Sequence, residues 1–463
     1  MTSRASAPAM LADWQQREIA VIGLARSGRS VATLLARNGS TVYASDAGRS
    51  PELDEAEEQL RREGVDVELG GHDLDRIGRV GLVVVSPGVP PGAPALRAAA
   101  VRGIEIVSEV EMALRFLPGL HYVAITGTNG KTTTTALIAH LLQALRHRAV
   151  AAGNIGTPLS EIALQPALPE WVALEVSSYQ LHSTPGIKPA VGVLTNLSPN
   201  HLDRYTSVAD YYGDKKLLFR NSDAASQWIT NADDDAVESL AADAAGLHCR
   251  FSLRGQTDAY FDRESQMLVA LGCKIVQREE LALVGDHNVA NALAAVLAVM
   301  LASPDHRAAG ALERIRAGLR SFRGLEHRIE IVLEKDGVLW INDSKSTNVA
   351  STQIALRGMT RPTVLLLGGK HKGEPYSTLA PELQRTVKTV IAYGEAAPVI
   401  MRDLDGVVPV EQGGTVFADI VARARRVARP GDAILLSPAC SSFDMFSDYE
   451  HRGREFKRLV TSA

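Results

Sequence analysis

Thr126-Gly127-Thr128-Asn129-Gly130-Lys131-Thr132 is the stretch that decides how this chain is read. A short apolar run, His121–Ile125, leads into it, and a long helical stretch begins at Lys131. Strand, glycine turn and helix in that order describe a phosphate-binding loop. The glycines let successive N–H groups curl toward phosphate oxygens, and the helix N-terminus adds the positive end of its dipole. Lys131 can reach the β- and γ-phosphates, and the Thr132 hydroxyl can ligate Mg²⁺. The common form G-x-x-x-x-G-K-[ST] wants glycine at position 125, where this chain has Ile125. The first glycine comes at Gly127 instead, so the loop is tighter. A glycine-rich turn with a chance Lys-Thr is the competing reading, and the strand–loop–helix context counts against it.

On either side, short Val/Ile/Leu runs alternate with longer helical stretches. That is the α/β pattern of buried parallel strands joined by crossover helices. At about 100–200 residues per domain, 463 residues predict three units. Residues 1–118 form a Rossmann-like unit, with strands expected at Glu18–Ile22, Thr41–Ala44, Gly81–Val85 and Ile104–Val107. The helix Glu109–Phe116 then leads to a linker at Pro118-Gly119. Residues 119–323 form the central phosphate-loop unit, with strands Trp171–Glu175 and Ala190–Asn196 and a helix Asn288–Leu301. Residues 324–463 form a second Rossmann-like unit, with strands Val338–Asn342, Thr363–Leu367, Thr389–Tyr393 and Ala433–Leu436.

Composition removes several functional classes. Hydrophobic residues are 46%, charged residues 22% and the net charge is -4, so nothing favours bulk binding of nucleic acid or an acidic membrane. Cys249, Cys273 and Cys440 form no C-x-x-C pair, and a reducing compartment fits. Met1 to Gln16 lacks a signal-peptide core, and no apolar run approaches the roughly 18 residues of a membrane span. The expectation is a cytoplasmic monomer without membrane insertion.

A nucleotide with Mg²⁺ needs hard oxygen ligands near the loop. Glu175 ends one predicted strand and His201 follows another, both at carboxyl ends, where open sheets place ligands. Alone, Glu175 reads as a surface carboxylate and His201 as a structural histidine; the phosphate loop turns both toward metal binding. In the first unit, Gly23-Leu24-Ala25-Arg26-Ser27-Gly28 with Asp46 imitates a dinucleotide fingerprint. Ala25 replaces the middle glycine that lets a backbone approach a pyrophosphate, which argues against NAD.

Taken together, four blocks resemble the Mur ligases: Gly127–Thr132, Gly153-Asn154-Ile155-Gly156, Glu175-Val176-Ser177-Ser178 and Asn200-His201-Leu202-Asp203-Arg204-Tyr205. Asn342-Asp343-Ser344-Lys345-Ser346-Thr347-Asn348 and Leu436-Ser437-Pro438-Ala439-Cys440-Ser441-Ser442 narrow the resemblance. They point to the branch that adds D-glutamate to UDP-N-acetylmuramoyl-L-alanine. The resemblance implies an ATP-dependent amide ligase of peptidoglycan synthesis, working through an acyl phosphate with two Mg²⁺ ions.

It also implies roles for single residues. Gly127, Thr128, Asn129, Gly130, Lys131, Thr132 and Thr133 would hold ATP phosphates. Thr132, Glu175, His201 and a carbamylated Lys216 would hold metal, with Lys215 competing for the last role. Asn288 and Asn291 would meet adenine, and Asn288 also suits a helix N-cap. Arg328, Asp343 and Lys345 would complete the nucleotide site when the domains close. Arg26, Ser27, Asp46, Ser86, Gly88, Asn154 and Ser177 would contact the UDP-sugar; Gly48 stands where a basic residue is expected, and Arg49 could substitute. Thr347, Lys372, Ser442 and Tyr449 would hold glutamate, with Lys370 competing with Lys372 and Tyr449 standing where the family has phenylalanine. The alternatives are a folylpolyglutamate synthase with another N-terminal region, an NAD-dependent dehydrogenase, and a non-catalytic nucleotide-binding module.

Overall fold

The computed structural model describes residues 17–199, 205–283 and 285–462. It divides into two compact units, Met1–Glu280 with Val289–Arg320, and Leu281–Asn288 with Ser321–Ala463. The first unit carries two sheets and the second carries one.

The first sheet is wholly parallel, in the spatial order Asp66–Leu69, Val42–Asp46, Ile19–Ile22, Leu82–Val85, Ile106–Ser108. This is the doubly wound order of a mononucleotide fold, with its switch point between the strands Ile19–Ile22 and Leu82–Val85. The fold class is therefore the α/β arrangement that the strand–helix alternation predicts. The strand Asp66–Leu69, D-V-E-L, lies at the sheet edge and carries too little apolar signal to be read from sequence.

In the second sheet, His121–Thr126 lies between Val191–Leu194 and Trp171–Glu175, all parallel. Register pairs Ile125 with Glu175 and Thr126 with Leu194. Three carboxyl ends thus meet where the phosphate loop begins. Beyond Val191–Leu194 the sheet continues through Gln227–Asn231 and Leu247–Ser252 to Ala259–Asp262, then turns antiparallel through Met267–Ala270 and Cys273–Gln277. The alternation of strand and helix did not signal that antiparallel extension. The two sheets of this unit are tied through Ser108 N to Ser183 O at 2.6 Å and Ser160 Oγ to Ser30 Oγ at 2.9 Å.

The second unit orders its strands Glu330–Lys335, Val338–Asn342, Ala433–Leu436, Thr363–Gly368, Val387–Tyr393, Val410–Gly414. All pairings are parallel except the first. Ile341, Leu365, Leu367 and Leu435 pack into the core on one face, and Val364, Leu366, Ile434 and Leu436 into the core on the other. Both faces are covered by helices, so these strands read as continuous apolar runs.

Candidate active site

The phosphate loop is shaped by two glycines. Gly127 has φ 142°, and a Cβ there would lie 2.0 Å from Thr195 Oγ1. Gly130 has φ 79° and caps the helix Lys131–Ala144 without a side-chain bond; a Cβ there would lie 2.3 Å from Asn291 Oδ1. The helix therefore begins with no side chain competing for its first N–H groups, which is what an incoming phosphate needs. Thr128, Thr132 and Thr133 are buried, while Asn129 is exposed.

A brace that the motif does not predict comes from the neighbouring strand end. Asn129 N donates to Asn196 Oδ1 at 2.9 Å, and Asn196 Nδ2 returns a bond to Asn129 O at 2.9 Å. Thr195 Oγ1 donates to Asn129 O at 2.7 Å, and Thr128 N donates to Asn196 O at 2.8 Å. Thr134 Oγ1 donates to Asn291 Oδ1 at 3.3 Å, so Asn291 sits against the first turn of the phosphate-loop helix. Asn288 is buried, yet it is the third residue of the helix Asp286–Ala302 and not its N-cap, because the helix begins earlier than its apolar pattern suggests.

Lys131 Nζ donates to Gly127 O at 3.0 Å and Thr128 O at 2.9 Å. Glu175 is buried at the end of its strand; Oε1 accepts from Asn154 Nδ2 at 2.9 Å, and Oε2 is buried with no hydrogen-bond partner among the described residues. A buried carboxylate oxygen without a donor is costly unless a cation meets it. That unpartnered oxygen fits a divalent ion beside a phosphate loop. Among the described residues no three His, Cys, Asp or Glu side chains converge, so such an ion would also draw on hydroxyl and substrate oxygens. His201 lies outside the described residues.

The structure places the two competing lysines in different surroundings. Lys216 ends the helix Val208–Lys216 with its side chain half exposed, 3.6 Å from Asp243. Lys215 is buried instead; its Nζ donates to Gly127 O at 2.7 Å and lies 4.7 Å from the centre of the Tyr211 ring. Burial, and then Lys131, push its ammonium well below the usual lysine range, against the opposing pull of Glu175 and Asp214. Asp214 is itself engaged by Tyr205 Oη at 2.8 Å and His182 Nδ1 at 2.8 Å.

The expected UDP-sugar residues are spread over both sheets of this unit. Asp46 Oδ2 accepts from Leu24 N at 2.7 Å and Oδ1 from Gly48 N at 2.8 Å. Ser86 Oγ donates to Gly23 O at 2.8 Å. These two side chains lock the glycine turn, which leaves Ser27 half-buried and Gly88 exposed. Arg26 is an ion-pair partner of Glu161 at 3.0 Å and donates to Gly156 O at 2.7 Å. Asn154 orients Glu175, and Ser177 caps the helix Ser178–His182 in a reciprocal box with Gln180.

In the second unit, Asp343 is fully enclosed. Its Oδ2 accepts from Ser437 Oγ at 2.7 Å and Oδ1 from Ile329 N at 3.2 Å; burial raises its carboxyl to about 6. Arg328 stands between two left-handed residues, His327 at φ 64° and Ile329 at φ 45°, and its Nε is buried without a partner. Backbone held in that region costs on the order of 1–3 kcal/mol per residue and persists only where the surroundings enforce it. Lys345 Nζ lies 5.7 Å from the centre of the Tyr449 ring. Thr347 is half-buried, Ser442 buried and Lys372 exposed. Lys370 N donates to Ser441 O at 2.9 Å, which ties the backbone before Lys372 to the segment carrying Ser442. The Tyr449 hydroxyl donates to Glu450 at 3.2 Å. The chief residue that motif reading missed is Arg452, which is wholly buried and donates to Ser344 O at 2.8 Å and Cys440 O at 3.2 Å.

Comparison with known proteins places the chain in a family. The Mur ligase middle domain matches residues 125–299, the MurD-like N-terminal domain residues 17–108, and the Mur ligase glutamate ligase domain residues 327–440. The chain belongs to the Mur ligase family, whose members are ATP-dependent ligases. Among its relatives, UDP-N-acetylmuramoylalanine--D-glutamate ligase from Acidobacterium capsulatum is 41% identical, over 96% of each chain. The enzyme of that name from Myxococcus xanthus is 40% identical over 96% of this chain and 98% of its own. The one from Salinibacter ruber is 38% identical over 95% and 96%. In fold, the chain is similar to UDP-N-acetylmuramate-alanine ligase MurC from Thermotoga maritima, with TM-score 0.59, 21% identity and coverage of 96% and 100%. It is also similar to a pseudomurein peptide ligase type C from Methanothermus fervidus, with TM-score 0.57, 20% identity and coverage of 96% and 99%. Among the described residues no helix is long and apolar enough to cross a membrane.

Proposed function

We propose that this chain joins D-glutamate to UDP-N-acetylmuramoyl-L-alanine at the expense of ATP, in peptidoglycan precursor synthesis. The observation that carries the reading is the near-full-length similarity to relatives of that one name. A folate-accepting ligase would need a different first domain, and the match at residues 17–108 favours the nucleotide sugar.

The substrate carboxylate attacks the γ-phosphorus, ADP leaves, and an acyl phosphate forms. The glutamate amine then attacks the acyl carbon and phosphate departs, with the amine proton passing to solvent. Most of the protein's work in such a reaction is positioning and charge neutralisation. The loop N–H groups and Lys131 would grip the transferring phosphate, with Lys131 leaving the Gly127 and Thr128 carbonyls to do so. Mg²⁺, two ions in this proposal, would supply further charge neutralisation, held by Thr132, Glu175 and His201. Asn154 keeps Glu175 from rotating.

Lys215 would complete that set as a carbamate. Its ammonium would lose one proton, and the neutral amine would add to the carbon of CO₂ and release a second, replacing a buried cation beside Lys131 with an anion. Burial and the proximity of Lys131 support that exchange. In the second unit, Arg328, Asp343 and Lys345 would serve the nucleotide. Thr347, Lys372, Ser442 and Tyr449 would serve glutamate, a dicarboxylate that calls for cations and hydroxyl donors. In the first sheet's unit, Arg26, Ser27, Asp46, Ser86 and Gly88 would serve the UDP-sugar.

Phosphate release tests the reading. It should require both UDP-N-acetylmuramoyl-L-alanine and D-glutamate, and L-glutamate should not replace the D-isomer. ATP turnover indifferent to either substrate would overturn the assignment.

A further inference from the structure

Two segments of the second unit carry the proposed glutamate contacts Lys372 and Ser442, and one buried hydroxyl lies between them. The first segment is Gly369-Lys370-His371-Lys372, and the second is Cys440-Ser441-Ser442. They approach closely. A Cβ at Gly369, where φ is 129°, would lie 2.3 Å from Ser441 O and 3.0 Å from Cys440 Cβ. Lys370 N donates to Ser441 O at 2.9 Å, and Ser441 Oγ donates to Lys370 O at 3.3 Å. The residue before Cys440 is Ala439, at φ 54°. A residue with a Cβ keeps that left-handed conformation only where its surroundings enforce it.

Tyr376 reaches both segments from the core side. It opens the 3₁₀ turn Tyr376–Leu379, is buried, and lies in the same core as Leu379 and Leu383. Its N–H donates to Asp403 Oδ2 at 3.1 Å, which fixes the turn. Its Oη lies 2.8 Å from Cys440 Sγ and 3.0 Å from His371 Nδ1. A phenol has one hydrogen to give and lone pairs to accept with. It therefore serves both neighbours, donating to one and accepting from the other, whichever way the hydrogens run. Burial pushes the Cys440 thiol up to about 11, so the sulfur stays a neutral partner of the hydroxyl.

His371 meets the hydroxyl, while Lys370 and Lys372 on either side of it are exposed. We propose that Tyr376 is a positioning residue for glutamate: by clasping His371 and Cys440 it holds the backbone that carries Lys372 against the backbone that carries Ser442. Being buried, it acts through its two partners and not on the substrate itself. The inference rests on the glutamate assignment of Lys372 and Ser442. Glutamate alone should feel the loss, because the proposed ATP and nucleotide-sugar contacts lie on other segments.

The test compares the full chain with Tyr376→Phe, which keeps the ring and deletes the hydroxyl. The glutamate KM should rise about tenfold, the scale of one lost hydrogen bond. The kcat and the KM values for ATP and UDP-N-acetylmuramoyl-L-alanine should change little. His371→Ala, at a partly exposed position that spares the fold, should repeat the glutamate effect. Cys440→Ala should raise the glutamate KM, and Cys440→Ser, which keeps a partner for the hydroxyl, should stay closer to wild type. The ring ¹⁵N resonances of His371 should move in Tyr376→Phe. A wild-type glutamate KM in both Tyr376→Phe and His371→Ala would overturn the inference, as would an equal rise in all three KM values. A wild-type enzyme whose phosphate release ignores glutamate would overturn the ligase reading, and this inference with it.

Discussion

Lys215 and Lys131 converge on one acceptor: the Gly127 carbonyl takes Lys215 Nζ at 2.7 Å and Lys131 Nζ at 3.0 Å. Two ammonium groups on one carbonyl repel each other, and only one of them has a phosphate to move to. Lys215→Ala is expected to lower kcat about 100-fold or more, the scale of removing one preorganised charge-stabilising group. Bicarbonate or acetate, filling the space as a small anion, should restore part of it. Lys216→Ala, which removes an exposed side chain near Asp243, should stay near wild type. A fully active Lys215→Ala would end the carbamate proposal; mass spectrometry of the gently handled protein reads the carbamate directly.

Glu175 supplies the second prediction. Its Oε2 has no donor and its Oε1 is held by Asn154, so Asn154→Ala should leave the carboxylate free to turn. The expected result is a rise of about tenfold in the Mg²⁺ concentration for half-maximal activity, with unchanged stability. Glu175→Gln should raise it further. An unchanged Mg²⁺ requirement in both variants would place the ion elsewhere.

How far the sequence carried these assignments depended on what each residue touches. The strand–loop–helix around Lys131 was legible because its signals are consecutive. Between Lys215 and Lys216 the linear spacing from Asp203-Arg204-Tyr205 to Tyr212 favours Lys216, whereas helical geometry pairs Lys215 with Tyr211, four residues earlier. Both Tyr211 and Lys215 are almost wholly buried, and that shared face was the available signal. Asn196 and Thr195 brace the loop across adjacent strands, a contact that sheet order creates and local pattern does not carry. The edge strand Val410–Gly414, V-E-Q-G-G, has little buried surface and so no apolar period to read.

Glu109 gives a pH prediction. It is buried in the helix Glu109–Phe116, with Oε1 accepting from Ser160 N at 2.5 Å and Oε2 unpartnered. Burial raises its carboxyl from 4.5 to about 7. The folded state thus holds a proton that the unfolded chain releases near 4.5. Stability from this group is fully present below about 4.5 and lost as pH rises toward 7. Glu109→Gln should flatten that segment of the denaturation midpoint against pH. An unchanged slope would mean that the carboxyl is ionised in the folded protein.

Arg452 joins stability to substrate recognition. It lies on the buried face of the helix Tyr449–Thr461 with Gly453, Phe456 and Val460. Its Nε donates to Ser344 Oγ at 2.9 Å, and its Nη atoms reach Ser344 O and Cys440 O. One planar fork thereby fixes the loop carrying Lys345 and Thr347 to the loop carrying Ser442. Removing it strands two buried carbonyls, Ser344 O and Cys440 O, so Arg452→Ala should cost about 3 kcal/mol or more in chemical denaturation. Lysine keeps the charge but is a compact point donor that cannot span both loops. Arg452→Lys is therefore expected to fold and to raise the glutamate KM about tenfold, since small misplacement of positioning groups is costly. The KM for UDP-N-acetylmuramoyl-L-alanine should change little, because its proposed contacts lie in the other unit. A wild-type glutamate KM in Arg452→Lys would show that the two loops hold their geometry without the fork.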